Sequence, residues 1–190
     1  MKSIYFIDID ETVFHTFALI HVMKGNKVVK KLTNQEFNTY VLQKGERFTF
    51  DEFRDAQIFL ETSKPIMQVI NQIKELIKNS NNKIIFLSAR SDFDNIDTFL
   101  QAFRNVGIDI DNPNVYVERT GNMTVGTVDE KKKTVIMKYL STGEYSKAYM
   151  YDDCQKNLEK FLSLKSELNE IQYQALLAKN DDLESFITDF

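Results

Sequence analysis

Asp8 and Asp10 stand two residues apart behind the apolar run Ile4-Tyr5-Phe6-Ile7. A free carboxylate is costly in a low-dielectric core, so both belong where a buried strand ends rather than inside it. Side chains alternate along an extended strand, so the two are predicted to point to one side. Carboxylates brought together repel each other unless a cation lies between them. A second acidic pair, Asp152-Asp153, closes the run Ala148-Tyr149-Met150-Tyr151 in the same way. Four carboxylates at strand ends, with no His or Cys cluster beside them, form an oxygen donor set. Such a set suits a hard cation, Mg²⁺, better than zinc. Two further polar signals accompany them: Ser88-Ala89-Arg90 after the run Ile84-Ile85-Phe86-Leu87, and the lysine run Lys131-Lys132-Lys133.

The elements that must hold these residues can be read from periodicity. Continuous apolar runs mark strands over 4–7, 83–87 and 148–151, with a shorter one over 115–117. Alternation of Ile171, Tyr173, Ala175 and Leu177 marks a fifth strand. Ile66, Val69, Ile70, Ile73, Leu76 and Ile77 keep helical spacing, with Ser63 as the expected cap and Pro65 in the first turn. Phe93 to Phe103 is a second helix, with Gly107 at its C-terminal cap. Val135, Ile136, Tyr139 and Leu140 mark a third helix, opened by the lysine run, and Leu158, Phe161 and Leu162 mark a fourth. Strands alternating with helices predict an α/β fold, a doubly wound and mostly parallel sheet whose ligands gather at the C-terminal edge.

Residues 14–62 break this rhythm. Ala18 to Met23 and Lys27 to Leu32 flank Lys24-Gly25-Asn26 and read as a β-hairpin, with Thr33 capping a short helix. The insertion is too small for a domain of its own and is placed to form a flap, or small cap, over the sheet edge. The whole chain of 190 residues therefore reads as one domain. Its net charge of −4 excludes a broad basic face that coats nucleic acid, though not a local grip on one phosphate. A single cysteine, Cys154, excludes an internal disulfide and suits a reducing compartment. No leader and no membrane-length apolar run is visible, which gives a cytoplasmic expectation. His15 and His21 read as structural or surface residues, and Cys154 as a bystander.

In these ordered motifs the chain resembles the haloacid dehalogenase (HAD) superfamily of phosphatases. Asp8-Ile9-Asp10-Glu11-Thr12-Val13 is similar to its Asp-x-Asp-x-Thr/Val motif. Phe86-Leu87-Ser88, a lysine of the 131–133 run, and Asp152-Asp153 follow in the family's order. The resemblance implies a five-stranded Rossmann-like sheet of order 3-2-1-4-5. It implies a phosphoric monoester hydrolase that uses Mg²⁺, bound by Asp8, the Asp10 carbonyl and the Asp152-Asp153 pair. Asp8 would be the nucleophile that forms an aspartyl-phosphate, and Asp10 the acid and base. Ser88 would hold a phosphoryl oxygen and a lysine would neutralise the transferring group. Lys132 is the first choice, because Val135 and Ile136 lie three and four residues on; Lys131 is the second. Asp153 is favoured as the direct metal ligand, with Asp152 as its support. Arg90 would reach a substrate phosphate or base; a surface salt bridge is the competing reading.

Ser88-Ala89-Arg90 and Asp152-Asp153 look closest to the 3′-phosphatase domain of polynucleotide kinase-phosphatases. That resemblance implies a nucleic-acid 3′-phosphate end, or a nucleotide, as substrate, although the chain has no GxxxxGK[ST] kinase loop. A small-metabolite or nucleoside monophosphate phosphatase is the alternative enzyme, and a non-catalytic binding module the rival from another class.

Overall fold

The computed structural model describes residues 2–187. The first apolar run forms β1 (Lys2–Ile7). The insertion follows as β2 (Phe14–His15), β3 (Ile20–Lys24), β4 (Lys27–Leu32), α1 (Asn34–Thr39), β5 (Glu46–Thr49), α2 (Ala56–Thr62) and β6 (Lys64–Pro65). Helices and strands then alternate through α3 (Met67–Ile77), β7 (Asn82–Ser88), α4 (Ile96–Asn105), β8 (Val115–Arg119), α5 (Val128–Leu140), β9 (Tyr145–Asp152), α6 (Gln155–Leu162), β10 (Gln172–Lys179) and β11 (Asp182–Phe186).

The central sheet runs β11-β10-β9-β1-β7-β8. Its β8-β7-β1-β9-β10 portion is parallel, and β11 pairs antiparallel with β10. The expected five-stranded sheet is therefore corrected to six strands. The missed strand is reached through a two-residue turn, Asn180-Asp181, between the paired Lys179 and Asp182. Both turn residues have left-handed φ, 51° and 63°. Asn and Asp tolerate that conformation, which matches the turn to the twist of the strands it joins.

Both faces of the sheet are covered, which is why its strands read as unbroken apolar runs. Tyr5 and Ile7 of β1, with Ile84 and Phe86 of β7, pack against Val69, Ile70 and Ile73 of α3 and Phe99 and Phe103 of α4. Ile4 and Phe6, with Ile85 and Leu87, face Ile136 and Leu140 of α5 and Leu158 and Phe161 of α6. The even-numbered residues of β1 thus look toward α5, and that register carries on to Asp8.

The insertion divides its loyalties. Strands β4-β3-β5 form a separate sheet around Ile20, Val22 and Leu32, with Phe37, Tyr40, Phe48 and Phe53 packed against them. α1 begins at the predicted cap, where Thr33 and Glu36 form a reciprocal capping box. α2, unread in the sequence, sends Ala56 and Phe59 into the main core. It also displaces the predicted start of α3. Ser63 closes α2 rather than capping α3, and Lys64–Pro65 pair with β2 as β6. Among the described residues, no helix is long and apolar enough to cross a membrane.

Candidate active site

Asp8 is the first residue beyond β1, and its N–H donates to the Tyr151 carbonyl of β9 at 2.8 Å. Its partner comes from α5. That helix starts at Thr127, which forms a capping box with Glu130, so the lysine run lies one turn inside the helix and does not open it. Lys132, Ile136 and Leu140 recur every four residues and share the buried face. The two apolar residues anchor that face in the core and turn the lysine inward. Lys132 Nζ donates to Asp8 Oδ1 at 2.5 Å and to Asp152 Oδ2 at 2.6 Å. The second oxygen of Asp152 accepts from the Cys154 N–H and from Asn157 Nδ2, both at 2.9 Å. Asp153, the next residue, is exposed.

Asp8, Asp152 and Asp153 each offer an oxygen, and these atoms lie within 4.8 Å of one another. Three carboxylates facing one ammonium leave an excess of two negative charges. Among the described residues no His or Cys joins the cluster. An all-oxygen set with a divalent deficit fits Mg²⁺. Both oxygens of Asp152 already accept N–H groups, which leaves Asp153 the more open of that pair. Burial pushes the Asp8 carboxyl well above the ordinary range, Lys132 pulls it down, and Asp152, Asp153 and Asp10 push it up again. Desolvation and the Asp152 charge likewise raise Asp153 to about 6, although its surface is open to water. Lys132 is raised by the two carboxylates against the opposing effect of burial, and stays an ammonium.

Asp10 lies apart from this cluster. The strand ends at Ile7, so alternation no longer governs where Asp10 points. The chain curls instead: the N–H groups of Val13 and Phe14 return to the Ile9 carbonyl at 2.9 and 3.0 Å, and Glu11 takes a φ of 59°. The turn hands Asp10 to Arg90. Arg90 Nε reaches both Asp10 oxygens at 3.1 and 3.0 Å, and a terminal nitrogen reaches Oδ1 at 2.6 Å. Thr16 Oγ1 donates to the same oxygen at 2.5 Å. Burial alone would raise Asp10, but Arg90, helped by Thr16, holds it below the ordinary carboxylate range.

Arg90, expected at a substrate phosphate, is thus committed inside the protein. Its side chain is 1% exposed, lies over the rings of Phe53, Phe59 and Phe93, and donates to the Phe53 carbonyl at 2.9 Å. Ser88 is fully buried at the end of β7, and its hydroxyl oxygen accepts the Arg90 N–H at 3.1 Å. Its own proton is left to donate. Lys131 is half-buried beside Lys132, and Lys133 turns away to Glu167. His21 is a structural ligand of Glu52. His15 lies between Glu11 at 2.8 Å and Asp181 at 2.7 Å, tying the loop after β1 to the β10–β11 turn.

Sequence reasoning missed Thr16, Asn157 and the Phe53 carbonyl. Asn157 carried a signal, since it lies in the first turn of α6 directly after the acidic pair. Thr16 carried none. A cavity of about 580 Å³ adjoins the cluster; Asp153, Thr12 and Thr16 belong to its wall.

No family model matches the chain, and no curated protein matches it either. Among solved structures the chain is similar to the HAD domain of effector protein Lem4 from Legionella pneumophila, solved as an inactive mutant. The identity is 15%, over 95% of this chain and 88% of that one, with a TM-score of 0.47.

Proposed function

We propose that the chain is a Mg²⁺-dependent phosphomonoester hydrolase of the HAD type, acting through an aspartyl-phosphate on Asp8. The observation that carries this reading is the bridging of Asp8 and Asp152 by the buried Lys132 ammonium, next to an uncompensated Asp153. A salt bridge kept for stability needs one carboxylate per ammonium. A second buried carboxylate on one ammonium is costly, and a further cation beside it would offset that cost.

Asp8, the Asp10 carbonyl and Asp153 would hold the metal, with Asp152 as support. When bound, Mg²⁺ supplies positive charge that lets a carboxylate approach a phosphate dianion. Asp8 attacks phosphorus with one oxygen as the bond from phosphorus to the leaving oxygen breaks. Asp10, in the minor fraction that carries a proton, gives it to that leaving oxygen and then takes one from the incoming water. Water attack on phosphorus breaks the bond to Asp8 and releases inorganic phosphate. Lys132 keeps the Asp8 oxygen oriented and offsets charge on the transferring group. The Ser88 proton is directed to a phosphoryl oxygen. Arg90 acts through Asp10, fixing the orientation of its carboxylate. Holding Asp10 ionised suits the water-activating step better than the protonating step, so esters with good leaving groups are the easier substrates.

The expected nucleic-acid end gains little from the flap. Lys31 is bonded to Glu52, and Lys30 lies over the Tyr40 ring. No flap lysine or arginine contributes to the cavity beside the cluster. Turnover of an aryl phosphate with Mg²⁺, its loss in excess chelator and its recovery on adding Mg²⁺ test the reaction class. Full activity in chelator rejects the metal assignment. Absence of turnover with Mg²⁺ supports the binding module instead.

A further inference from the structure

His15 presents both ring nitrogens to carboxylates: Nδ1 lies 2.8 Å from Glu11 and Nε2 2.7 Å from Asp181. A neutral imidazole carries one N–H, and its other nitrogen offers a lone pair that a carboxylate repels. The two contacts together therefore require the imidazolium, which donates from both sides. The hydrogen bond to Glu11 raises the pKa of the ring, burial opposes it, and the bond to Asp181 raises it further. Charge also faces the ring from Lys64 of β6, the residue paired with His15, and from Lys179, Asp182 and Asp153 in the wall of the same cavity. Lys64 turns its ammonium over the Phe17 ring, 5.3 Å from the centre, and Asp182 accepts the Leu183 N–H.

The two carboxylates are held unequally. Glu11 also accepts the Thr16 N–H at 2.9 Å, and Thr16 Oγ1 goes on to Asp10. Asp181 sits on the turn between β10 and β11, with its side chain 69% exposed against 36% for Glu11. Loss of the ring proton therefore parts His15 from Asp181 and leaves the Asp10 loop as it is. Glu11, His15 and Asp181 all line the cavity of about 580 Å³ that reaches Asp153, so the turn is one of its walls. Resting on the phosphatase reading above for its effect on turnover, we propose that His15 is a pH-sensitive latch. As an imidazolium it fastens the β10–β11 turn to the loop that carries Asp10; as a neutral ring it lets the turn go and loosens the cavity's hold on a leaving group. The latch is shut below the folded pKa of His15 and open above it.

Asp181→Asn is the deciding variant. Asn tolerates the left-handed φ of 63° at that position. Its amide can accept from the imidazolium or donate to the neutral ring, so the latch should stay shut in both states. The chain has two histidines, and His15→Gln assigns their ring signals. In the wild type, the His15 ring should titrate above 6.5, and magnetic contacts between the ring and Asp181 should vanish with the same midpoint. In Asp181→Asn the midpoint should fall toward 6.5 and the contacts should persist on both sides of it. With aryl phosphate and Mg²⁺, the ratio of wild-type KM to variant KM should rise with pH through the wild-type midpoint. The rise should be about two- to fivefold, the size an exposed ion pair allows, while the ratio of kcat values stays flat. Taking the ratio cancels the titration of the ester and of Asp153. Equal ring midpoints in the two proteins, contacts that ignore the titration, or a flat KM ratio in a protein that hydrolyses the ester overturns the proposal. Coupled titration of ring and contacts with no hydrolysis upholds the latch and rejects the phosphatase reading.

Discussion

Asp8 and Asp10 leave the same strand two residues apart and end in opposite electrostatic settings. On the α5 side, Lys132 is shared by two carboxylates whose side chains are 8% and 0% exposed, and negative charge remains in excess. On the flap side, Arg90 pairs with one carboxylate, Asp10, whose side chain is 21% exposed. The first region keeps an excess of negative charge, whereas in the second the two charges balance. On the proposed reading, that difference divides the roles. An under-compensated carboxylate beside a lysine is a place for a metal and a phosphoryl group. A carboxylate held by its own arginine has a fixed direction and a charge biased toward the ionised form.

The contrast breaks most readily at Lys132. Lys132→Met would strand two deeply buried carboxylates, so it should cost about 3–5 kcal/mol of stability in chelator, together with turnover. Urea unfolding checks it; a loss no greater than that of Arg90→Met would erase the distinction between the two regions. Asp10→Asn comes next. Turnover of an alkyl phosphate should fall by about 10²–10⁴-fold, and that of an activated aryl phosphate by much less, because the latter needs little protonation. Equal losses on both esters would remove Asp10 from proton transfer. Arg90→Met should cost about 1–3 kcal/mol, since Asp10 can recover part of its hydration through its exposed side.

The smallest effect concerns Asp153. Its carboxyl is raised from 3.8 to about 6, so the folded state holds that proton more tightly than the unfolded chain does. Its contribution to stability is therefore present at low pH and is lost as pH rises through that interval. In chelator, the melting temperature should fall across that window, and Asp153→Asn should flatten the slope. At neutral pH, Mg²⁺ at tenfold its Kd should stabilise the wild type by about 1.4 kcal/mol and the variant by less. A metal response unchanged in Asp153→Asn would exclude it as a ligand.

Much of the central sheet was legible because strands buried on both faces leave continuous apolar runs, as at Ile4 to Ile7 and Ile84 to Leu87. Lys132 was legible for a related reason: Ile136, one turn on, fixes which lysine of the run faces inward. The insertion was harder. α2 hides in an aromatic-rich segment where Phe59 serves the main core rather than the flap. β11 is a short edge strand, mostly exposed or half-exposed, with no apolar run to announce it. The pairing of Arg90 with Asp10 was illegible, because it depends on a turn after β1 that ends strand alternation and on three phenylalanines from distant segments.

The most direct measurement traps the covalent intermediate. The protein is mixed with Mg²⁺ and an aryl phosphate, quenched in acid within one turnover, and digested for mass spectrometry. A phosphoryl increment on the peptide containing Asp8, absent in Asp8→Asn and absent in chelator, is the expected result. Metal-dependent turnover with no phosphoryl group on Asp8, or with the increment on another residue, would contradict the assignment of Asp8 as nucleophile.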